Sequence, residues 1–118
     1  MTLKDTFAFL TTVCFVLILS NACNKDDDFV PTCDGSTPTY DAEIMTIIND
    51  NCTSAPCHGT SSANGDWTSY TGLNTVLNNG EFEKQVLTDM TMPQGSAKLT
   101  EAQMNLIRCW ADNGYPEN

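Results

Sequence analysis

Cys52-Thr53-Ser54-Ala55-Pro56-Cys57-His58 places two thiols immediately before the only histidine of the chain, and Met92-Pro93 follows 34 residues after that histidine. Paired cysteines ending in Cys-His are the usual pattern for covalent haem attachment. Two thioethers tether the porphyrin edge, and the imidazole beside the second sulfur turns to the iron. Here four residues separate the cysteines instead of two. The segment between the thioethers must therefore bulge outward while keeping the same end-to-end reach.

The order of Tyr40 to Ile48, Cys52 to His58, Met92-Pro93, Leu99-Thr100 and Leu106 to Gly114 resembles a small class I cytochrome c of the lipoprotein type. The resemblance covers residues 37–118. It implies an all-α fold wrapped around one covalent haem c, with the first and last helices crossing beside it. Cys52 and Cys57 would carry the thioethers, His58 would be the proximal iron ligand and Met92 the distal one. Met90 is the competing sixth ligand, and Met45 and Met104 fall in helices. Thioether ligation favours ferrous iron and raises the potential. With both axial positions filled, the implied role is an electron carrier and not an enzyme. An open axial position would instead imply a haem enzyme or a gas sensor.

Two haem-free readings compete with this one. Cys52 and Cys57 closing a small disulfide ring would make the chain a disulfide-stapled surface module that binds a protein or a glycan. Zinc also takes Cys and His, but adjacent Cys57 and His58 rarely turn onto one tetrahedral ion, and no second pair lies at zinc-finger spacing.

The N-terminus reads as an export signal. Lys4 precedes the apolar run Phe7 to Leu19, too short to span a bilayer comfortably, and Ser20-Asn21-Ala22 leads into Cys23. Residues 1–22 are the expected lipoprotein signal peptide, with Cys23 the lipidated residue. Residues 23–36, carrying Asp26 to Asp28, Pro31 and Asp34-Gly35, read as an acidic linker. The expected address is an outer-membrane lipoprotein facing the periplasm or the cell surface. Once Cys14 leaves with the signal, Cys23 carries lipid and Cys52 and Cys57 carry haem, Cys33 and Cys109 remain as a disulfide pair in an oxidising compartment.

Removing residues 1–22 takes Lys4 from 5 bases and Asp5 from 15 acids, so the net charge stays at −10. Such a surface repels phosphate backbones, which argues against nucleic acid, and it favours redox proteins with basic patches.

The elements that must position these groups are helical. Tyr40, Ile44, Ile47 and Ile48 recur at i, i+4, i+7 and i+8, which predicts one buried stripe on a helix over 39–51 that delivers Cys52. A loop with a turn at Asn64-Gly65 follows. Leu73 to Asn78 and Glu81 to Thr88 read as short helices, separated by Asn79-Gly80. Thr100 with Gln103 opens a last helix carrying Leu106, Ile107 and Trp110. Trp67, Tyr70, Lys84, Lys98 and Arg108 are candidate partners for the haem propionates, with ordinary packing or solvated surface as the alternative for each.

Overall fold

The computed structural model of the chain describes residues 29–95 and 98–118. Cys14, the signal peptide 1–22, the lipidated Cys23 and the Asn24 to Asp28 run lie outside these residues. Among the described residues the fold is all-α, with four helices and no strand.

Helix α1 covers 40–51; it opens as a π-helical turn, Tyr40–Ile44, and continues as α-helix through Met45–Asn51. Its start is fixed reciprocally, because the Ala42 amide donates to Thr39 Oγ1 at 3.3 Å while the Thr39 amide donates to Glu43 Oε2 at 3.0 Å. These bonds satisfy amides that a helix end leaves unpaired. The expected stripe of Tyr40, Ile44, Ile47 and Ile48 is buried.

Helix α2 spans Tyr70–Asn78, three residues earlier than the apolar pattern suggests, because Ser69 caps it by accepting from the Gly72 amide at 3.2 Å. It buries Leu73 and Leu77. Gly80, at φ +77°, turns the chain directly into α3, which runs from Glu81–Glu83 into a π-helical turn, Lys84–Thr88. That left-handed position suits a residue without Cβ. Phe82, Val86 and Leu87 face the core.

Helix α4 spans Glu101–Asp112 and carries the expected capping box, with the Gln103 amide donating to Thr100 Oγ1 at 3.2 Å and the Thr100 amide to Gln103 Oε1 at 2.9 Å. After Gly114 the tail doubles back across α1. The Tyr40 and Asp41 amides donate to the Pro116 and Glu117 carbonyls, each at 2.9 Å, and Trp110 Nε1 donates to Pro116 O at 2.9 Å. One carbonyl thus clasps the first helix to the last. Between them the Tyr40 and Trp110 rings lie 6.3 Å apart, and Phe82 meets Trp110 edge-on at 6.0 Å. Ile44, Ile47, Ile48, Ile107 and Trp110 share one buried cluster, with Leu106 packed at its margin.

Cys33 and Cys109 form a disulfide across 76 residues, with Cα atoms 4.6 Å apart. The neighbouring chain, expected as linker, is tied to α4 as well. The Thr32 amide donates to Asn105 Oδ1 at 2.8 Å, Asn113 Nδ2 donates to Ser36 O at 3.1 Å, and Pro31 is buried. No described helix is long and apolar enough to cross a membrane.

Candidate functional site

Helix α1 ends where the chemistry begins. Cys52 closes the last turn, its amide donating to Ile48 O at 2.8 Å, and its side chain is buried while that of Cys57 is exposed. The segment between them folds back instead of extending. The Cys57 amide donates to Ser54 O at 2.6 Å and the His58 amide to Cys52 O at 3.0 Å. The residue after the second cysteine is thereby returned to the first, and Ser54, Ala55 and Pro56 project into solvent as the expected outward bulge. Gly59 lets this turn close: a Cβ there would sit 2.6 Å from the Thr53 carbonyl oxygen.

Cys52 and Cys57 are not bonded to each other. Burial, with a smaller contribution from the Cys57 thiol, pushes the Cys52 thiol up to about 11. Desolvation disfavours the thiolate, so Cys52 is held as a neutral thiol at ordinary pH.

The loop 59–66 forms a cradle for the imidazole. His58 Nδ1 lies 3.0 Å from the Asn64 carbonyl oxygen. A carbonyl only accepts, so this contact requires the proton on Nδ1 and leaves Nε2 as the nitrogen that could meet a metal, as a hydrogen bond on the far ring nitrogen commonly does for ligating histidines. The ring is also stacked on Trp67, with centroids 3.6 Å apart and planes 9° from parallel. Asn64 is itself pinned, its amide donating to Ser62 Oγ at 3.1 Å and its side chain to Pro56 O at 3.4 Å. Ser62 Oγ in turn donates to Cys57 O, and the Trp67 amide donates to His58 O at 2.9 Å. Sequence reasoning sees Asn64-Gly65 as a turn, but not that the turn carries the histidine's hydrogen-bond acceptor.

Met92 is brought to the site by the segment that follows α3. The Thr91 and Met92 amides both donate to Gln85 O, at 3.0 and 3.2 Å, anchoring the loop to the end of α3. Met92 is half-buried against the core. Met90 points elsewhere, lining a separate cavity with Phe29, Val30, Leu87 and Arg108.

Cys52, Cys57, His58 and Met92 line one cavity of about 530 Å³. Its apolar walls are Trp67, Val76, Phe82, Val86 and Pro93, and Glu81 is the one carboxylate among its lining residues. The size falls within the roughly 300–1,000 Å³ range of small-molecule and cofactor sites. Two thiols, an imidazole with one nitrogen committed, a thioether and apolar walls form a donor set that fits a covalently held iron porphyrin.

The other candidates divide. Trp67 lines the cavity, whereas Tyr70 spends its hydroxyl on Tyr115 O at 2.7 Å. Lys84 pairs with Asp89 at 3.3 Å, Arg108 pairs with Glu83 at 2.8 Å and Asp112 at 2.6 Å, and Lys98 donates to Met90 O at 3.4 Å. None of these four lines this cavity. Among the described residues the one close group of three Cys, His, Asp or Glu side chains is Cys33, Asp34 and Cys109, whose sulfurs are already joined. Set against known proteins, the chain matches no family model, no curated protein and no solved structure.

Proposed function

We propose that this chain is a lipid-anchored monohaem c-type cytochrome that carries single electrons, with Cys52 and Cys57 as thioether donors, His58 as proximal ligand and Met92 as distal ligand. The observation that carries the reading is that these four side chains, gathered from the end of α1, the attachment loop and the segment after α3, line a single cavity. The haem supplies reversible one-electron exchange at its iron.

The chain's residues do the rest. The Asn64 carbonyl sets the imidazole tautomer, and Trp67 holds the ring plane. Trp67, Phe82 and Val86 keep water from one side of the site, and a dry shell favours the less charged state of the metal. With Met92 as a second protein donor no place would be left for a substrate, so the role would be electron transfer, with exposed Cys57 on the solvent side of the cavity. Residues 1–22 as export signal and Cys23 as lipid site support an outer-membrane address, where the protein would exchange electrons with redox protein partners.

The test is the mature protein produced alongside a haem c maturation system. Colour that survives acid-acetone extraction and a protein mass increased by one haem are expected. Met92→Ala is expected to abolish the methionine-to-iron charge-transfer band. A band that survives the substitution refutes the ligand assignment, and colourless, fully matured protein refutes the reading altogether.

A further inference from the structure

Indole and phenol rings give up a single electron more readily than any other side chains except those bearing sulfur, and this chain has two tryptophans and three tyrosines. One file of rings runs from the cavity into the core. Trp67 lines the cavity and lies 5.9 Å from Phe82, centroid to centroid; Phe82 lies 6.0 Å from Trp110, and Trp110 lies 5.0 Å from Tyr115. Tyr40 branches from the same file, 6.3 Å from Trp110 and 5.4 Å from Tyr70.

The three tyrosines differ in where a proton can go. Loss of an electron turns a phenol into a strong acid, so its oxidation is completed only where a positioned base takes the proton. Tyr40 Oη is buried without a hydrogen-bond partner. Tyr70 Oη donates to the Tyr115 carbonyl at 2.7 Å, and a carbonyl is too weak a base to accept the proton outright. Tyr115 Oη donates to the carboxylate of Glu83, at 3.2 Å from Oε2, while Oε1 of that carboxylate accepts from Arg108 Nη1 at 2.8 Å and is held in place by it. Trp110 Nε1 faces only the Pro116 carbonyl, so oxidised Trp110 keeps its proton and remains a strong oxidant.

We infer that Trp67, Trp110 and Tyr115 form a relay that carries an oxidising equivalent out of the cavity, away from Cys52, Cys57 and Met92, and leaves it as a tyrosyl radical on Tyr115 with Glu83 as the proton acceptor. The oxidant is a small inorganic radical, which takes one electron from Trp67 and becomes an anion. The Trp67 radical cation takes an electron from Trp110 across Phe82, which is not itself oxidised. Trp110 then takes an electron from Tyr115 as the Tyr115 proton passes to the Glu83 carboxylate. Both tryptophans end as they began, the oxidant is reduced by one electron, and a neutral phenoxyl radical faces a carboxylic acid. The relay belongs to the polypeptide and does not depend on the haem reading.

The test uses the mature protein, any iron it carries being ferric. Azidyl radicals, small and uncharged, are generated by pulse radiolysis; protein radicals are captured with a nitroso spin trap, and the adducts are located by peptide mass mapping. Capture at Tyr115 is expected in the parent. Glu83→Gln keeps an acceptor for the hydroxyl but removes the base, and it is expected to lower the Tyr115 adduct at least about tenfold while adducts on Trp67 rise. Trp110→Phe is expected to lower the Tyr115 adduct as well, whereas Tyr40→Phe and Tyr70→Phe leave it unchanged. Circular dichroism checks the fold of each variant, and Glu83→Gln decides alone if Trp110→Phe does not fold. A parent without a Tyr115 adduct, capture chiefly at Tyr40 or Tyr70, or a Tyr115 adduct undiminished in Glu83→Gln overturns the relay. An undiminished adduct in folded Trp110→Phe overturns it too, since the radical would then be attacking Tyr115 directly.

Discussion

Removing the Cys33–Cys109 bridge with the pair Cys33→Ala and Cys109→Ala tests how much of this small fold depends on one covalent staple. In the chain-entropy description a cross-link lowers the entropy of the unfolded chain by about 2.1 + 1.5R ln n cal/mol/K. With n taken as the 76-residue separation, this is about 15 cal/mol/K, or about 4.5 kcal/mol at 25 °C. Cys109 is 1% exposed, so its truncation also leaves a small void worth up to about 1 kcal/mol. Nothing offsets these losses locally, because the Thr32 and Ser36 hydrogen bonds to α4 depend on the same segment staying docked. A domain of this size has a total stability of roughly 5–15 kcal/mol, so the variant stands close to the folding threshold. Urea unfolding followed by far-ultraviolet circular dichroism is the assay. With a slope of roughly 1–1.5 kcal/mol/M, the midpoint falls by about 3 M or more. A loss under about 1 kcal/mol would refute the reasoning, since it would mean that the segment before α1 is not held by the bridge.

Three further outcomes follow from individual contacts. In haem-free protein at a pH of about 8, iodoacetamide is expected to modify exposed Cys57 long before Cys52. The Cys52 thiol, pushed up to about 11, is ionised to only about one part in a thousand there; equal labelling rates by mass spectrometry would contradict its burial. Gly72→Ala is expected to lower the melting temperature by several degrees. The new Cβ would sit 2.0 Å from the Asp66 carbonyl oxygen, and overpacking of about 1–3 kcal/mol outweighs the helix-propensity gain of at most about 1 kcal/mol; an unchanged or raised melting temperature would show that α2 shifts freely. Tyr115, desolvated and facing Glu83, is pushed up from 10.0 to about 12. Its folded value lies above its unfolded one, so its contribution to stability is complete below pH 10 and disappears as pH rises through about 12. A phenolate titration with its midpoint at the ordinary tyrosine value, matched by an unaltered alkaline unfolding limb in Tyr115→Phe, would remove that contribution.

Periodicity made the helices legible because each buries one stripe. Tyr40, Ile44, Ile47 and Ile48 are spaced for a single face, and Thr100 with Gln103 declares its capping role from side-chain chemistry three residues apart. The Cys33–Cys109 pairing was legible by elimination, since every other cysteine had an assignment. Contacts between distant backbone groups were not. The Pro116 carbonyl that joins Tyr40 to Trp110, the Asn64 carbonyl beside His58 and the Gln85 carbonyl that anchors Met92 could be supplied by any residue type. Backbone acceptors leave no mark in a sequence. The π-helical turns at Tyr40–Ile44 and Lys84–Thr88 were missed for a related reason, because the apolar spacing they require is also compatible with an ordinary helix.

The staple lies outside the site, yet packing connects the two. The disulfide acts on α4 and the chain before α1, and neither cysteine lines the cavity. What joins the two regions is a chain of rings: His58 on Trp67 at 3.6 Å, Trp67 to Phe82 at 5.9 Å, Phe82 to Trp110 at 6.0 Å, and Trp110 to Tyr115 at 5.0 Å. Phe82 is the middle member, 1% exposed in the core and at the same time part of the cavity wall. Aromatic pairs of this kind add about 0.5–1.5 kcal/mol beyond burial and resist sliding because their geometry is specific. The imidazole therefore takes its orientation from the packed core through Trp67 and its proton placement from the Asn64 backbone. Two independent constraints on one small ring leave little freedom to the nitrogen that would meet a metal, and both are present in the polypeptide alone.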